Sequence, residues 1–155
     1  MGNNISDSSL FQSPVEPPYK GDVRPADAWK ELESDKDAIL VDVRTAPEWG
    51  FVGVPNLSSI GKQATLVSWR VYPSMDVNEN FVSQFENGTK ANKETKIFCI
   101  CKIGGRSADA AAELTKNGYA NCYNIEGGFE GDIDKDGHRA NINGWKATKL
   151  PWEQR

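Results

Sequence analysis

Two short, unbroken apolar runs, Ala38-Ile39-Leu40-Val41-Asp42-Val43 and Ile97-Phe98-Cys99-Ile100, constrain this chain more than any other feature. Neither alternates strictly between polar and apolar residues, so each reads as a strand covered on both faces. The cover has to come from amphipathic helices, and the stretches between the runs supply them. Pro25 to Leu32 reads as a helix with proline in its first turn and Trp29 and Leu32 facing inward. Asn78 is placed to cap a helix through Phe81, Val82 and Phe85 that Gly88 closes. Ala108 to Leu114 is a strong helix former and ends at Lys116-Asn117-Gly118. Asn121 to Ile125 is a further strand, ended by Gly127-Gly128, and Leu66 to Tyr72 alternates up to Pro73 as an edge or half-buried strand. Trp145 to Leu150 reads as a short helix stopped by Pro151. This alternation of strands and helices predicts an α/β layer with a mostly parallel sheet.

The length of 155 residues suits one domain with a full core. Residues 1–18 are rich in Ser, Asn and Pro, which predicts a flexible arm before a domain over 19–155. A net charge of -4 without a long basic run argues against nucleic acid as a partner, and no apolar stretch reaches membrane-spanning length. No apolar segment precedes the first basic residue, Lys20, so a secretory leader is not expected. The three cysteines are an odd number and do not read as a disulfide framework. A reducing, cytoplasmic location is the expectation. Met1-Gly2-Asn3-Asn4-Ile5-Ser6 fits the myristoylation consensus, but six loosely specified positions arise easily by chance.

In parallel sheets the reactive groups gather beyond the carboxyl ends of the strands. At one such end stands Cys101, opening the loop Cys101-Lys102-Ile103-Gly104-Gly105-Arg106-Ser107 immediately before the Ala108 helix. A helix N-terminus offers unpaired N–H groups and a partial positive charge, which favour the thiolate. Glycines allow several N–H groups to converge on one anion. A cysteine at a strand end is otherwise a common small core residue. What raises the catalytic reading is the thiol combined with Gly104, Gly105, Lys102, Arg106 and the adjoining helix.

These residues resemble the rhodanese family. Leu40-Val41-Asp42-Val43-Arg44 with Glu48-Trp49 resembles its first signature, and Cys101 to Ser107 resembles its active-site loop, cysteine then x-x-Gly-x-Arg-Ser. Asn124-Ile125-Glu126-Gly127-Gly128-Phe129 resembles the strand and double glycine beyond the catalytic helix. Gly144-Trp145 with Leu150-Pro151-Trp152 resembles the closing helix. The resemblance runs in consistent order from about Tyr19 to the C-terminus and is nearest to the bacterial single-domain sulfurtransferases. It implies a three-layer fold with helices on both faces of the sheet.

The resemblance also implies a chemistry. Cys101 would take the outer sulfur of thiosulfate or a persulfide, and a thiol, cyanide or a protein partner would then remove it. Backbone N–H groups from Lys102, Ile103, Gly104, Gly105, Arg106 and Ser107 would hold the persulfide anion, with Lys102 and Arg106 attracting an anionic donor. No metal or organic cofactor is required. Four residues lie between Cys101 and Arg106, where rhodanese-related phosphatases and arsenate reductases have five, so sulfur is favoured over phosphate. A non-catalytic binding module is a further alternative, against which the retained Cys101, Gly104 and Arg106 count.

Asp42 and Arg44 are supporting positions. Arg44 either adds positive potential near the loop or forms a structural ion pair with Asp42, the latter being favoured. Glu48 is expected to be scaffold, and Cys99 and Cys122 core residues. The chain departs from the family in two places. Gly53-Val54-Pro55-Asn56-Leu57 lacks the usual histidine, and Gly131 to Asn143 reads as an inserted loop over the Cys101 pocket. Within that loop His138 and Arg139 are placed to contact substrate, although a solvated loop is favoured. Asp132-Ile133-Asp134-Lys135-Asp136-Gly137 matches the start of a calcium loop, but Asn143 replaces the closing glutamate, which favours an acidic turn.

Overall fold

The computed structural model describes residues 17–155, so the Met1–Ser6 pattern and all but the last two residues of the expected arm lie outside it. Along the chain run β1 (Gly21–Val23), α1 (Pro25–Ser34), β2 (Ile39–Asp42), α2 (Ala46–Phe51), β3 (Val54–Pro55) and β4 (Thr65–Leu66). There follow β5 (Arg70–Val71), β6 (Asp76–Val77), α3 (Phe81–Gly88), β7 (Lys96–Ile100), α4 (Gly105–Lys116), β8 (Asn121–Ile125) and β9 (Trp152–Glu153).

The two apolar runs become the inner strands β2 and β7 of a five-stranded sheet in the order β1-β8-β7-β2-β4. Every neighbouring pair in it is parallel, with Leu40 opposite Phe98, Val41 opposite Cys99 and Cys99 opposite Asn124. Successive side chains on a strand leave opposite faces, so each run feeds two cores at once. Leu40, Phe98, Ile100 and Ile125 pack against Ala28 and Leu32 of α1 and against Phe129 and Trp145. Val41, Ile97, Cys99 and Cys101 pack on the other face against Phe81 and Phe85 of α3 and Ala110, Ala111 and Leu114 of α4. The result is the expected three-layer α/β fold.

Local chemistry explains the element ends. Pro25 opens α1, and a capping box opens α2: Thr45 and the side chain of Glu48 satisfy each other's backbone N–H groups. Asn80 rather than Asn78 precedes α3, while the Asn78 side chain accepts from the Asn80 N–H at 3.0 Å. Helix α4 starts at Gly105, three residues before the expected Ala108, so Arg106 and Ser107 belong to its first turn.

Two elements differ from expectation. Leu66 to Tyr72 is not one strand: β4 closes the sheet edge, and β5 turns away to pair with β6. Val67 and Trp69 still bond to the carbonyls of Asp42 and Val43, and Trp69 is buried against Phe81. Beyond Trp69 the apolar residues face solvent, with Tyr72 59% exposed, so nothing holds that length to the sheet. Trp145 to Leu150 forms hydrogen-bonded turns instead of a helix. Lys149 adopts φ 66, which interrupts helical geometry, and the Trp145 indole N–H reaches onward to the Pro151 carbonyl at 2.8 Å. The chain then returns as β9, antiparallel to β3.

Candidate active site

Strand β7 ends where its ladder ends, and Cys101 follows it, 1% exposed, with its sulfur turned under the first turn of α4. The Gly104 N–H donates to Cys101 Sγ at 3.1 Å. Gly104 holds φ 117, a left-handed conformation open to glycine, and this reversal lets the loop curl over the sulfur before α4 begins. Ser107 Oγ lies 3.1 Å from the same sulfur and is itself completely buried. Lys102 is half-buried, and Ile103 stands out at the loop tip, 49% exposed.

The loop is braced from behind by the segment after β8. Phe129 N–H donates to the Cys101 carbonyl at 2.7 Å, and the N–H groups of Glu130 and Gly131 share the Lys102 carbonyl at 3.0 and 3.2 Å. Gly128 makes this approach possible, because a Cβ there would meet the Lys102 carbonyl at 2.5 Å. The double glycine therefore fits the chain against the Cys101 loop.

Arg106 is held through both terminal nitrogens. Its Nη1 and Nη2 donate to Glu48 Oε1 and Oε2 at 2.7 and 3.0 Å, so its planar fork is closed on a carboxylate from α2. Burial pushes the Glu48 carboxyl up, but hydrogen bonds and charge from Arg106 and the donors of Thr45 outweigh it and hold the pKa at about 2. Asp42 and Arg44 form a second, wholly buried pair at 2.7 Å. Arg44 also donates to the Gly53 carbonyl and lies over the Phe129 ring, 4.3 Å from its centroid. Arg44 thus touches the residue that braces the Cys101 loop.

His138 and Arg139 are not joined to the Cys101 loop by any hydrogen bond or ion pair among the described residues. Arg139 donates to the Gly131 carbonyl at 2.7 Å, and the His138 N–H donates to Asp134. Asp134 organises the inserted loop by accepting from the N–H groups of Asp136 and His138 and from the Asn141 amide. Its carboxylate is thereby occupied, as an acidic turn requires. Among the described residues no group of three or more His, Cys, Asp and Glu side chains is arranged to hold a metal ion.

The STR4 middle-domain family model matches residues 21–155. The chloroplastic rhodanese-like domain-containing protein 4 of Arabidopsis thaliana is 29% identical over 125 residues, which span 81% of this chain and 24% of that protein. The crystal structure of Rv0390 from M. tuberculosis superposes with a TM-score of 0.81 at 39% identity, covering 88% of this chain and 99% of that one. The chain belongs to the rhodanese-like family. The RP600 protein of Rickettsia prowazekii (strain Madrid E) is similar along nearly its whole length, 38% identical over 126 residues that cover 81% of this chain and 91% of the relative. The polysulfide-sulfur transferase homodimer of Wolinella succinogenes shares the rhodanese-like fold at a TM-score of 0.58 and 23% identity.

Sequence reasoning missed three side chains at this rhodanese-like site. Asn124 lies on β8, 6% exposed, and takes a short hydrogen bond from Ser107 Oγ. Its Nδ2 donates to Asp22 Oδ1 at 3.0 Å, and the Tyr19 hydroxyl donates to the same oxygen at 2.7 Å. The available signal was an asparagine inside an otherwise apolar strand, since a buried amide needs partners. Cys99 and Cys122 are wholly buried in the core, and burial pushes the Cys99 thiol far up and the Cys122 thiol to about 11. No described helix is long and apolar enough to cross a membrane.

Proposed function

We propose that this chain is a sulfurtransferase that carries a sulfane sulfur as a persulfide on Cys101. The observation that carries the reading is the Gly104 N–H aimed at Cys101 Sγ at the N-terminus of α4, a setting that favours negative charge on sulfur. The Cys101 thiolate attacks the outer sulfur of the donor. A new S–S bond forms, the donor's own bond to that sulfur breaks, and the remainder leaves with the electron pair, as sulfite when the donor is thiosulfate. An acceptor thiolate or cyanide then attacks the terminal sulfur, and Cys101 leaves as thiolate, so enzyme and redox balance are restored.

The loop N–H groups from Lys102 to Ser107 receive the terminal sulfur anion, and Lys102 draws in the donor. Arg106 acts by holding the first turn of α4 in place and by adding positive potential, its fork being taken by Glu48. We place the protein in a reducing compartment, the cytoplasm of its cell, because Cys99, Cys101 and Cys122 are all free thiols.

The test is intact mass after incubating reduced protein with thiosulfate or glutathione persulfide, beside Cys101→Ser. A gain of one sulfur atom, removed by cyanide and absent from the variant, is the expected result. No gain from either donor, with Cys101 still open to alkylation, overturns the proposal.

A further inference from the structure

A chain of hydrogen bonds leads from the Cys101 sulfur to the protein surface: Cys101 Sγ, Ser107 Oγ, the Asn124 amide, the Asp22 carboxylate, the Tyr19 hydroxyl. Its first three members are buried and Asp22 is exposed. Donor and acceptor inventory fixes the direction of each link. An ionised Asp22 only accepts, so Asn124 must present its NH2 there and its carbonyl oxygen to Ser107. That oxygen also only accepts, so Ser107 must give it the single hydroxyl proton. Ser107 then faces Cys101 with a lone pair, and the partner it accommodates is an S–H. Burial, followed by the bond to Asp22, holds the Tyr19 hydroxyl at a pKa of about 12, so Tyr19 remains a donor to that carboxylate.

We propose that Asp22 and Asn124 are positioning residues that set the direction of the Ser107 hydroxyl and thereby oppose the ionisation of resting Cys101. When Cys101 ionises, its proton leaves to solvent and the Ser107 hydroxyl rotates about its C–O bond to donate to the sulfur anion. Asn124 Oδ1 gives up its donor in that step. The relay thus opposes premature ionisation by the worth of one hydrogen bond, and a persulfide on Cys101, which has no proton on Sγ, leaves the hydroxyl turned toward sulfur. No redox change is involved.

Other ionisable groups surround this thiol. Cys99 of β7 and Arg106 of α4 interact with it, and Arg106 in turn interacts with Glu48 and with Asp42 at the end of β2. Lys102 is its neighbour in the chain. None of these is altered by changes in the relay.

The inference rests on Cys101 being the reactive thiol of the proposed function, but its readout needs no sulfur donor, so the two can fail separately. The measurement is the rate of Cys101 alkylation by iodoacetamide in the full chain, at pH 6.5 and at pH 10. Asn124→Ala removes the acceptor for Ser107, and Asp22→Ala lets the Asn124 amide turn its NH2 toward Ser107. Both variants are expected to alkylate about fivefold faster at pH 6.5, the factor that one hydrogen bond is worth, and at the parental rate at pH 10. The acceleration is expected to vanish in a Ser107→Ala background. Parental rates at pH 6.5 overturn the proposal. So does an Asp22→Ala acceleration that survives in Ser107→Ala, because that effect belongs to charge acting through space. Asp22 is exposed on an edge strand, so its variant decides the matter even where Asn124→Ala does not fold.

Discussion

Arg106 closes both arms of its guanidinium on Glu48, 58 residues away in sequence, at 2.7 and 3.0 Å. The same carboxylate accepts from the Thr45 N–H and hydroxyl at 3.1 and 2.9 Å, so one side chain caps α2 and pins the first turn of α4. The strand-end loop after β2 and the Cys101 loop after β7 are thereby joined above the sheet.

Glu48→Gln breaks this joint and gives it a pH signature. The Glu48 carboxyl has a folded pKa of about 2 against an ordinary value of 4.5. Its stabilisation is therefore complete above the ordinary value and is lost as pH falls through about 2. Glu48→Gln is expected to cost about 2 kcal/mol at pH 7. The gap between variant and parent should close across the acidic window. Urea midpoints at stepped pH measure it, and a pH-independent difference would contradict the pairing.

Thiol reactivity should be confined to one position. Burial raises Cys99 and Cys122, whereas Cys101 lies beneath a loop N–H. In native protein at pH 8, iodoacetamide is expected to modify Cys101 alone, and all three thiols should react only after denaturation. Peptide mass mapping checks this, and early labelling of Cys122 would contradict the packing.

Gly128→Ala should damage the Cys101 loop from behind. Gly128 has φ +60, and an added Cβ would lie 2.5 Å from the Lys102 carbonyl and 2.6 Å from that of Cys101. Both backbone strain and overpacking apply, together about 2–4 kcal/mol. The rate of persulfide formation on Cys101 should fall about tenfold, as misplacing a reacting group predicts. Gly137→Ala is the control, since φ +82 is strained there too but nothing lies within 4 Å of the new Cβ. It should lose some stability and leave persulfide formation unchanged.

The sheet was legible because Ala38–Val43 and Ile97–Ile100 announce burial on both faces locally, and Cys101 because its loop repeats a compact pattern. What escaped was non-local or marginal. Nothing near Glu48 marks it as the partner of Arg106, and nothing near Asn124 marks Ser107, because those contacts are made by the fold. The Trp145–Leu150 stretch has helical composition, yet Lys149 at φ 66 leaves helical geometry and tertiary bonds from Trp145 decide its path. The inserted loop was visible as an interruption of the family pattern, but its tie to Asp134 was not.

Asp42 and Arg44 separate a scaffold role from a catalytic one. Both are wholly buried, and Arg44 joins Asp42 and the Gly53 carbonyl while covering the Phe129 ring. Asp42→Ala leaves an uncompensated guanidinium in the core and is expected to cost about 3–5 kcal/mol. Replacing both residues, Asp42→Leu with Arg44→Met, removes the buried charge altogether and should recover most of that loss. A thermal or urea melt reads the stability of each variant. The folded double variant then decides the role of Arg44. If its charge attracted the donor, the loss of affinity would persist however stable the variant became, and thiosulfate concentration dependence would reveal it. If Arg44 serves by packing on Phe129, whose N–H holds the Cys101 carbonyl, a methionine of similar length preserves the contact. Persulfide formation should then stay within about threefold of the parent, the margin of a relaxed but intact brace.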